Sequence, residues 1–275
     1  VQWNMSPETI VQGTVNISVE KCLKEQFPSI EPDYTISPSG ICFHKEKQGV
    51  IPTIIKKYYD DRVIIKNRML EAQQEYEQTP TKRLENEIDT LNNSQMSIKI
   101  LMNSLYGALG NKWFRYFDQR VAEAVTISGQ LAILWAEKAM NKEIQKLLGT
   151  SKDYVIAIDT DSLYVDMSSF VDKFKPKDPV AFLDKVCGTL EIVLEKAYIQ
   201  LADKLNAYEN RMVMKREVIA DRAIWVAKKR YILNVHNSEG VQYAEPKLKM
   251  MGIEAVKSST PQVVRNKFKD IFKLI

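Results

Sequence analysis

Two acidic residues interrupt an apolar stretch near the middle of the chain. Residues 155–165 are VIAIDTDSLYV, so Asp159 and Asp161 stand in a run that otherwise favours a buried strand. Residues two apart in a strand point to the same face, and at a hairpin tip these carboxylates would converge. Buried like charges are costly unless a cation compensates them. Because carboxylate oxygens suit Mg²⁺, the pair predicts a metal-dependent phosphoryl-transfer site.

The acidic triplet alone leaves a simpler alternative open. Aspartate is common in solvated turns, where its side chain hydrogen-bonds nearby backbone groups without any metal ion. The apolar flanks on both sides of the triplet favour the metal site but do not exclude the turn.

A polar face is predicted on the helix that ends in SIKILMNSLYGALGNKWF. Lys99, Asn103 and Tyr106 are spaced i, i+4 and i+7, so they share one side of that helix. They offer a cation for a phosphate, an amide for a sugar or phosphate, and a ring for a base pair. Arg62 and Lys66, spaced i, i+4 on the preceding helix, would extend a triphosphate pocket. The alternative is an ordinary solvated face with Tyr106 half-buried.

A basic run stands in the strand-like stretch AIWVAKKRYILNV. In one continuous strand, Lys228 and Arg230 would share one side, and Lys229 and Tyr231 the other. Basic and aromatic residues interleaved on a sheet suit a nucleic-acid backbone. An edge strand protected by its charges is the alternative.

The elements that would position these residues give an α+β fold, with an antiparallel sheet packed by helices and a projecting two-helix hairpin. Hydrophobic spacing and capping residues predict helices near 15–27, at 52–76, 81–108, 118–148 and 179–207, and from about 259 onwards. Strands are predicted at 153–158, 162–167, 211–219, 222–235 and 241–246, with a turn at 237–240 before the last of them. The first 50 residues are otherwise predicted to be irregular.

Composition sets wide limits on the class of protein. The 275 residues are 45% hydrophobic and 27% charged, which is typical of a globular protein. The net charge of +4 tolerates a polyanionic partner without requiring one. Three widely spaced cysteines favour reduced thiols in the cytoplasm, and no apolar run is long enough for a membrane span. The chain opens without Met and closes in mid-pattern, so we expect a piece of a longer protein.

Three segments, in this order, resemble motifs of family B DNA polymerases. KILMNSLYG (99–107) resembles motif B, DTDSLYV (159–165) resembles motif C, and KKRY (228–231) resembles the DNA-contacting motif. NMSPETI (4–10), YAEPKLKMMGIE (243–254) and KSSTP (257–261) resemble the polymerases of large tailed phages related to the T-even group. The resemblance covers nearly the whole chain, and three ordered motifs are specific where each alone is not.

The resemblance implies a palm subdomain that carries a helical fingers insertion. The palm would occupy 1–50 and 111–257, the fingers hairpin 51–110, and the start of the thumb 258–275. The implied cofactor is Mg²⁺, as two ions in the intact site. The implied partners are primer–template DNA, a deoxynucleoside triphosphate and, in the intact enzyme, a sliding clamp. A phage-encoded polymerase would act in the cytoplasm of the infected bacterium.

The resemblance also implies a role for each matching residue. Asp159 and Asp161 would be catalytic metal ligands. The incoming triphosphate would be bound by Arg62, Lys66, Lys99 and Asn103, and Tyr106 would check the nascent base pair. The primer–template duplex would be held by Lys228, Lys229, Arg230 and Tyr231, with Glu217, Ser104 and Gly107 as accessory residues.

This sequence departs from the family pattern in two places. Family members usually have Tyr-Gly before Asp-Thr-Asp, whereas this chain has Ala157 and Ile158. An isoleucine cannot copy a glycine with positive φ, so we expect both residues to be extended. The chain also contains no Ser-Leu-Tyr-Pro segment, which follows the motif A aspartate in the family. We therefore expect the third metal-binding acid, the steric gate, the exonuclease and most of the thumb to lie outside this chain.

These expectations leave three hypotheses for the function. The first is the palm and fingers part of a DNA polymerase, inactive alone until an upstream polypeptide supplies the exonuclease region and motif A. The second is a non-catalytic half of a split polymerase that binds primer–template DNA. The third, an unrelated Mg²⁺-dependent nucleotidyltransferase, is disfavoured by the Lys-Asn-Tyr helix face and the basic run.

Overall fold

The computed structural model describes residues 1–272, in which helices and strands mix as an α+β fold requires. The α-helices are α1 (Val19–Leu23), α2 (Val50–Gln78), α3 (Lys82–Leu109), α4 (Gln119–Leu148), α5 (Ser168–Phe174), α6 (Pro179–Lys204) and α7 (Gln262–Phe272). The strands are β1 (Tyr34–Ile36), β2 (Cys42–His44), β3 (Val155–Asp159), β4 (Ser162–Val165), β5 (Val218–Ala227), β6 (Arg230–Ser238) and β7 (Val241–Met251). The predicted α+β class, a mixture of helices and antiparallel strands, is confirmed.

The strands of the described residues form three separate antiparallel sheets: β1–β2, β3–β4 and β5–β6–β7. The prediction of one sheet is therefore wrong, and residues 211–217 are not a strand. Side chains accept hydrogen bonds from three backbone amides of this segment instead. The amides of Arg211 and Met212 donate to Gln2 Oε1 at 3.0 and 2.9 Å, and the amide of Arg216 donates to Glu191 Oε1 at 2.6 Å. Pairing with a neighbouring strand is not needed to satisfy them.

The predicted helical hairpin is present as α2 and α3. Thr81 begins α3 by accepting a hydrogen bond from the amide of Leu84 at 3.3 Å. The hairpin does not project freely, however, because α2 contacts β7 along its second half. Gln74 accepts a hydrogen bond from the amide of Gln242 at 3.0 Å. The predicted projection is therefore wrong for α2.

The long helix α4 joins the two largest groups of core residues. Asp118 caps its first turn by accepting from the amide of Arg120 at 2.9 Å, and Gly149 ends it at a φ of +71°. One face packs on the β1–β2 region and the other on α6 and the β3–β4 hairpin. The core residues of the second group include Ala136, Ile144, Tyr154, Leu190, Leu194 and Tyr198. The acidic hairpin is thus held against a helical layer.

The stretch 222–235, predicted as one strand, is two strands with a reversal between them. Ala227 pairs with Arg230 across a two-residue turn made of Lys228 and Lys229. Lys229 has a φ of +62°, which is uncommon for a residue with a side chain. The turn has no Gly, Pro, Asn or Asp, so no local residue pattern predicts it. The predicted division of the basic run between two strand faces is accordingly wrong.

Smaller differences lie in segments with weak periodicity. The β1–β2 hairpin lies in a part predicted to be irregular, α1 is shorter than predicted, and α5 was not predicted. The three cysteines carry free thiols, as expected. No helix within residues 1–272 has the length and hydropathy that a membrane span requires. The division into palm, fingers and thumb stays a prediction.

Candidate active site

The acidic hairpin forms by direct pairing of β3 with β4. Asp159, the last residue of β3, pairs with Ser162, and the amide of Asp161 donates to the Asp159 carbonyl oxygen at 2.7 Å. The residue with positive φ is Thr160, at +55°. Ile158 is extended and pairs with Leu163. The expectation that Ala157 and Ile158 are both extended is confirmed, since both lie in β3.

The two acids of the hairpin have different surroundings. Asp161 lies in the turn and not in a strand, so the same-face argument from strand geometry does not apply to it. Asp159 Oδ1 accepts from Lys229 Nζ at 3.1 Å and from Thr160 Oγ1 at 3.1 Å. Asp161 is exposed and lines a cleft. Folding therefore pairs Asp159 with a lysine and leaves Asp161 at the cleft wall.

The ion pair at Asp159 shows that this hairpin accommodates a positive group, which bears on whether it can hold a metal ion. The hydrogen bond from Lys229 lowers the pKa of Asp159 below its ordinary value, against a smaller opposing effect of desolvation. The carboxylate is thus ionised and already binds one positive group. Among residues 1–272, no three His, Cys, Asp or Glu side chains are grouped so as to hold a metal ion. The two aspartates fit part of a metal site, as oxygen donors that need further ligands.

The cleft beside Asp161 has a volume of about 540 Å³ and is strongly charged. Asp161 and Glu217 contribute acids, while Lys66 and Lys249 contribute cations. Lys249 Nζ lies 3.3 Å from Glu217 Oε1. Glu239, on the turn between β6 and β7, also lines the cleft. A cleft with both signs of charge can bind an anion and a cation side by side.

Aromatic side chains form the apolar side of this cleft. The Tyr231 ring centroid lies 5.4 Å from that of Tyr164 and 6.4 Å from that of Trp225. Burial raises the pKa of Tyr164, and its hydrogen bond with Tyr231 acts in the same direction. Tyr231 is only 6% exposed. In this conformation Tyr231 packs against Tyr164 of the β3–β4 hairpin. Its ring is too buried to make the predicted contact with DNA directly.

Two of the predicted triphosphate residues come from α2. Lys66 lines the cleft, so the fold brings it together with Asp161. Its ammonium group forms an ion pair with Glu239. Arg62 is turned towards α3, where its Nε donates to Gln95 Oε1 at 3.1 Å. Arg62 is not part of the cleft lining.

The predicted residues of α3 lie apart from the cleft. Lys99, Asn103, Ser104 and Gly107 are exposed on the helix surface. The hydroxyl of Tyr106 is 2.7 Å from Thr126 Oγ1 on α4, which ties the end of α3 to that helix. The polar face exists as predicted, but in this conformation the structure does not join it to Asp161.

The basic run divides among three kinds of contact. Lys228 is exposed at the tip of the β5–β6 turn, and Lys229 binds Asp159. Arg230 Nη2 lies 2.5 and 2.7 Å from the two Glu254 carboxylate oxygens, and its Nε donates to the Gly252 carbonyl oxygen at 3.2 Å. Of the four residues, Lys228 is thus the side chain most open to a ligand.

Sequence reasoning missed three residues that shape the cleft: Glu239, Lys249 and Arg216. Of these, Glu239 falls within the turn predicted at 237–240. Arg216 Nη1 donates to Asn237 Oδ1 at 2.5 Å, and its Nη2 pairs with Asp184. Charged residues are common on exposed surfaces, so no local pattern distinguishes these three.

The family model described as DNA polymerase family B matches residues 1–275. The chain belongs to DNA polymerase family B. It is 34% identical to the DNA-directed DNA polymerase of Escherichia phage RB69, over 99% of this chain and 36% of that protein. It is 33% identical to the DNA-directed DNA polymerase of Enterobacteria phage T4, over 100% of this chain and 37% of that protein. The resemblance to polymerases of T-even phages is confirmed.

The chain spans little more than a third of the length of these two phage relatives. A solved structure titled as the family B DNA polymerase from Pyrobaculum calidifontis is 23% identical, with a TM-score of 0.43. That likeness covers 92% of this chain and 25% of the other.

Proposed function

We propose that this chain is the palm and fingers part of a DNA-directed DNA polymerase of a T-even-like phage. In the intact enzyme it would transfer a deoxynucleotide from a deoxynucleoside triphosphate to a primer 3′-hydroxyl, as directed by a template. The observation that carries the proposal is the cleft in which Asp161 of motif C and Lys66 of the helical hairpin meet. Such a site offers metal-binding oxygens beside a cation for phosphate.

We assign Asp159 and Asp161 to hold divalent metal ions, which family B DNA polymerases generally use; Mg²⁺ and two ions are part of the proposal. When bound, such ions activate a hydroxyl nucleophile and stabilise charge on the phosphates. Lys66 binds the triphosphate at the cleft. Arg62, Lys99 and Asn103 join it when the two helices of the hairpin turn towards the cleft.

The remaining sites are assigned to the DNA. Lys228 contacts a phosphate of the primer–template duplex, and Tyr106 checks the nascent base pair, with Ser104 and Gly107 beside it. Lys229 and Arg230 reach the duplex by exchanging their present carboxylate partners for phosphates, and Tyr231 holds their turn in place. Glu217 acts as an accessory acid. The intact enzyme is also proposed to bind a sliding clamp and to act in the cytoplasm of an infected bacterium.

The isolated chain is proposed to polymerise poorly or not at all. Two hairpin carboxylates are too few to complete a two-metal site, and losing one ligand weakens charge stabilisation in the transition state. We infer that an upstream polypeptide with the exonuclease region and motif A supplies the missing acid.

The deciding experiment is Mg²⁺-dependent primer extension with and without that upstream polypeptide. Extension should need both parts and should be lost in Asp161→Asn, which keeps the side-chain shape and removes the charge. Asp153→Asn, on the exposed loop before β3, is the matched control and should retain activity. Robust extension by the isolated chain would contradict the proposed need for a third acid.

A second candidate function is a primer–template binding half that does no catalysis. One observation favours it: Lys229 already neutralises Asp159, as a bound cation would. Under this alternative, the combined polypeptides would bind the duplex but show no extension at any Mg²⁺ concentration.

A further inference from the structure

The turn between β6 and β7 places the carboxylate of Glu239 in the lining of the candidate nucleotide cleft. Glu239 forms an ion pair with Lys66 of α2, and both residues line the cleft that contains Asp161. The two side chains are 25% and 28% exposed, so the pair is more shielded from solvent than most surface ion pairs. Shielding strengthens the attraction between the charges.

The Glu239 carboxylate is presented from a firmly held backbone. Glu239 has a φ of +51°, a conformation that residues with side chains rarely adopt. Its amide donates to the Glu217 carbonyl oxygen at 2.6 Å. Asn237 is 6% exposed, and its Oδ1 accepts from Arg216 at 2.5 Å and from the Gly240 amide at 3.3 Å. Gly240 also has a positive φ, so Glu239 and Gly240 form an ordinary two-residue hairpin turn, which fixes where the carboxylate is presented.

The same face of α2 rests on this sheet through further polar contacts. Glu77 pairs with Lys247, and Gln74 accepts from the amide of Gln242 at 3.0 Å. These contacts lie further along α2 and outside the cleft lining. Glu239 differs from Glu77 because its lysine partner faces the cleft.

We propose that Glu239 is a positioning residue that takes the place of the triphosphate on Lys66. Its carboxylate keeps the Lys66 ammonium beside Asp161 while the cleft has no nucleotide, and a triphosphate displaces it by competing for the same cation. Release of the pair also frees one of the contacts that hold α2 on the sheet. The inference rests on the proposed nucleotide site and adds to it a competing group within this chain.

Binding of Mg²⁺–dTTP to the whole chain, measured by isothermal titration calorimetry, tests the competition. Glu239→Gln should bind about twofold to fivefold more tightly, the range expected when a partly shielded ion pair no longer competes. Lys66→Gln should bind more weakly. In the Lys66→Gln background, Glu239→Gln should have no further effect, because the two residues act through one contact.

Glu77→Gln is the matched control, since it breaks an ion pair of α2 outside the cleft and should leave dTTP affinity unchanged. If Lys66→Gln weakens binding while Glu239→Gln does not tighten it, the inference is overturned and the nucleotide site stands. If dTTP binding is absent or does not depend on Lys66, the nucleotide site itself fails, and the inference fails with it.

Hydrogen–deuterium exchange gives a readout that does not depend on affinity. Inorganic tripolyphosphate should speed exchange of the amides at 238–242 in the wild-type chain, because displacement of Glu239 loosens the turn. Glu239→Gln should show faster exchange without the ligand and little further change with it. Unchanged exchange in the wild-type chain at saturating tripolyphosphate would overturn the displacement.

Discussion

The Asp159 carboxylate receives hydrogen bonds from Lys229 and Thr160, and these partners determine how it titrates. Its pKa in the folded chain is lowered, chiefly by Lys229. A lowered folded-state pKa means that the unfolded chain binds a proton more readily than the folded chain does. The stabilisation is therefore present above the ordinary pKa of aspartate and is lost as the pH falls through the folded value.

Lys229→Met should raise the pKa of Asp159 towards its ordinary value, because the main hydrogen-bond donor is removed. An NMR titration of the Asp159 carboxyl carbon measures this directly. The stability difference between wild type and variant should shrink as the pH falls into the acid range. An unchanged pKa would show that the ion pair does not persist in solution.

Two glycines should respond in opposite directions to the same substitution. Gly107→Ala should raise stability by about 1 kcal/mol, since Gly107 lies in α3 and an added methyl group meets nothing nearby. Gly252→Ala should lower stability by at least about 1 kcal/mol, because Gly252 has a φ of +62° and its methyl group would press on the Lys229 carbonyl oxygen. Urea denaturation of both variants measures these changes.

Gly107→Ala also tests the proposed role of motif B. If Gly107 has no role beyond its place on the helix surface, the Gly107→Ala enzyme should extend primers at the wild-type rate. If DNA or nucleotide approaches the α3 backbone there, extension should fall although the chain is more stable.

At the scale of elements, Arg216 ties three segments together. It belongs to the unpaired stretch before β5, contacts Asn237 near the end of β6, and pairs with Asp184 of α6. Its side chain is 13% exposed. Removing it leaves the buried Asn237 oxygen with one weaker donor, the Gly240 amide.

Arg216→Ala should therefore lower the free energy of unfolding by about 1.5 to 3 kcal/mol, the usual contribution of a hydrogen bond made by a charged group. Lys215→Ala, at the exposed neighbouring position, is the control and should change stability little. Equal stability of the two variants in urea denaturation would show that the bridge contributes nothing.

Long helices were predictable from the sequence, whereas the β1–β2 hairpin and the reversal between β5 and β6 were not. The spacing of apolar residues in α4, with Asp118 before it and Gly149 after it, fixes its ends within one or two residues. The reversal at Lys228 and Lys229 escaped prediction because apolar alternation continues on both sides of it. The turn makes a tertiary contact, the ion pair of Lys229 with Asp159, which local propensity does not contain.

For the whole molecule, a net charge of +4 means that any contact with nucleic acid depends on local patches. Lys228 is exposed at a turn whose neighbours Lys229 and Arg230 add positive charge, although both now bind carboxylates. This arrangement gives a small basic tip on a surface that is otherwise balanced.

Lys228→Gln should weaken binding of a primer–template duplex at all sequences and reduce the salt dependence by about one phosphate contact. Fluorescence anisotropy over a range of NaCl concentrations measures both effects. Lys142→Gln, on α4 beside a different depression, is the control. A salt dependence that is identical in the two variants would contradict a DNA contact at the turn.

The fold class, the long helices, the acidic hairpin and the family were predictable from the order of residues, because these depend on periodicity, turn chemistry and ordered motifs. Which charges meet depends on tertiary packing. Lys66 and Glu239 are 173 positions apart, and Lys229 and Asp159 are 70 apart. Such pairs form because packing of α2 and β5–β7 brings distant segments together, and no local pattern encodes that distance. The same packing places Lys229 beside Asp159, while Asp161 lines the cleft.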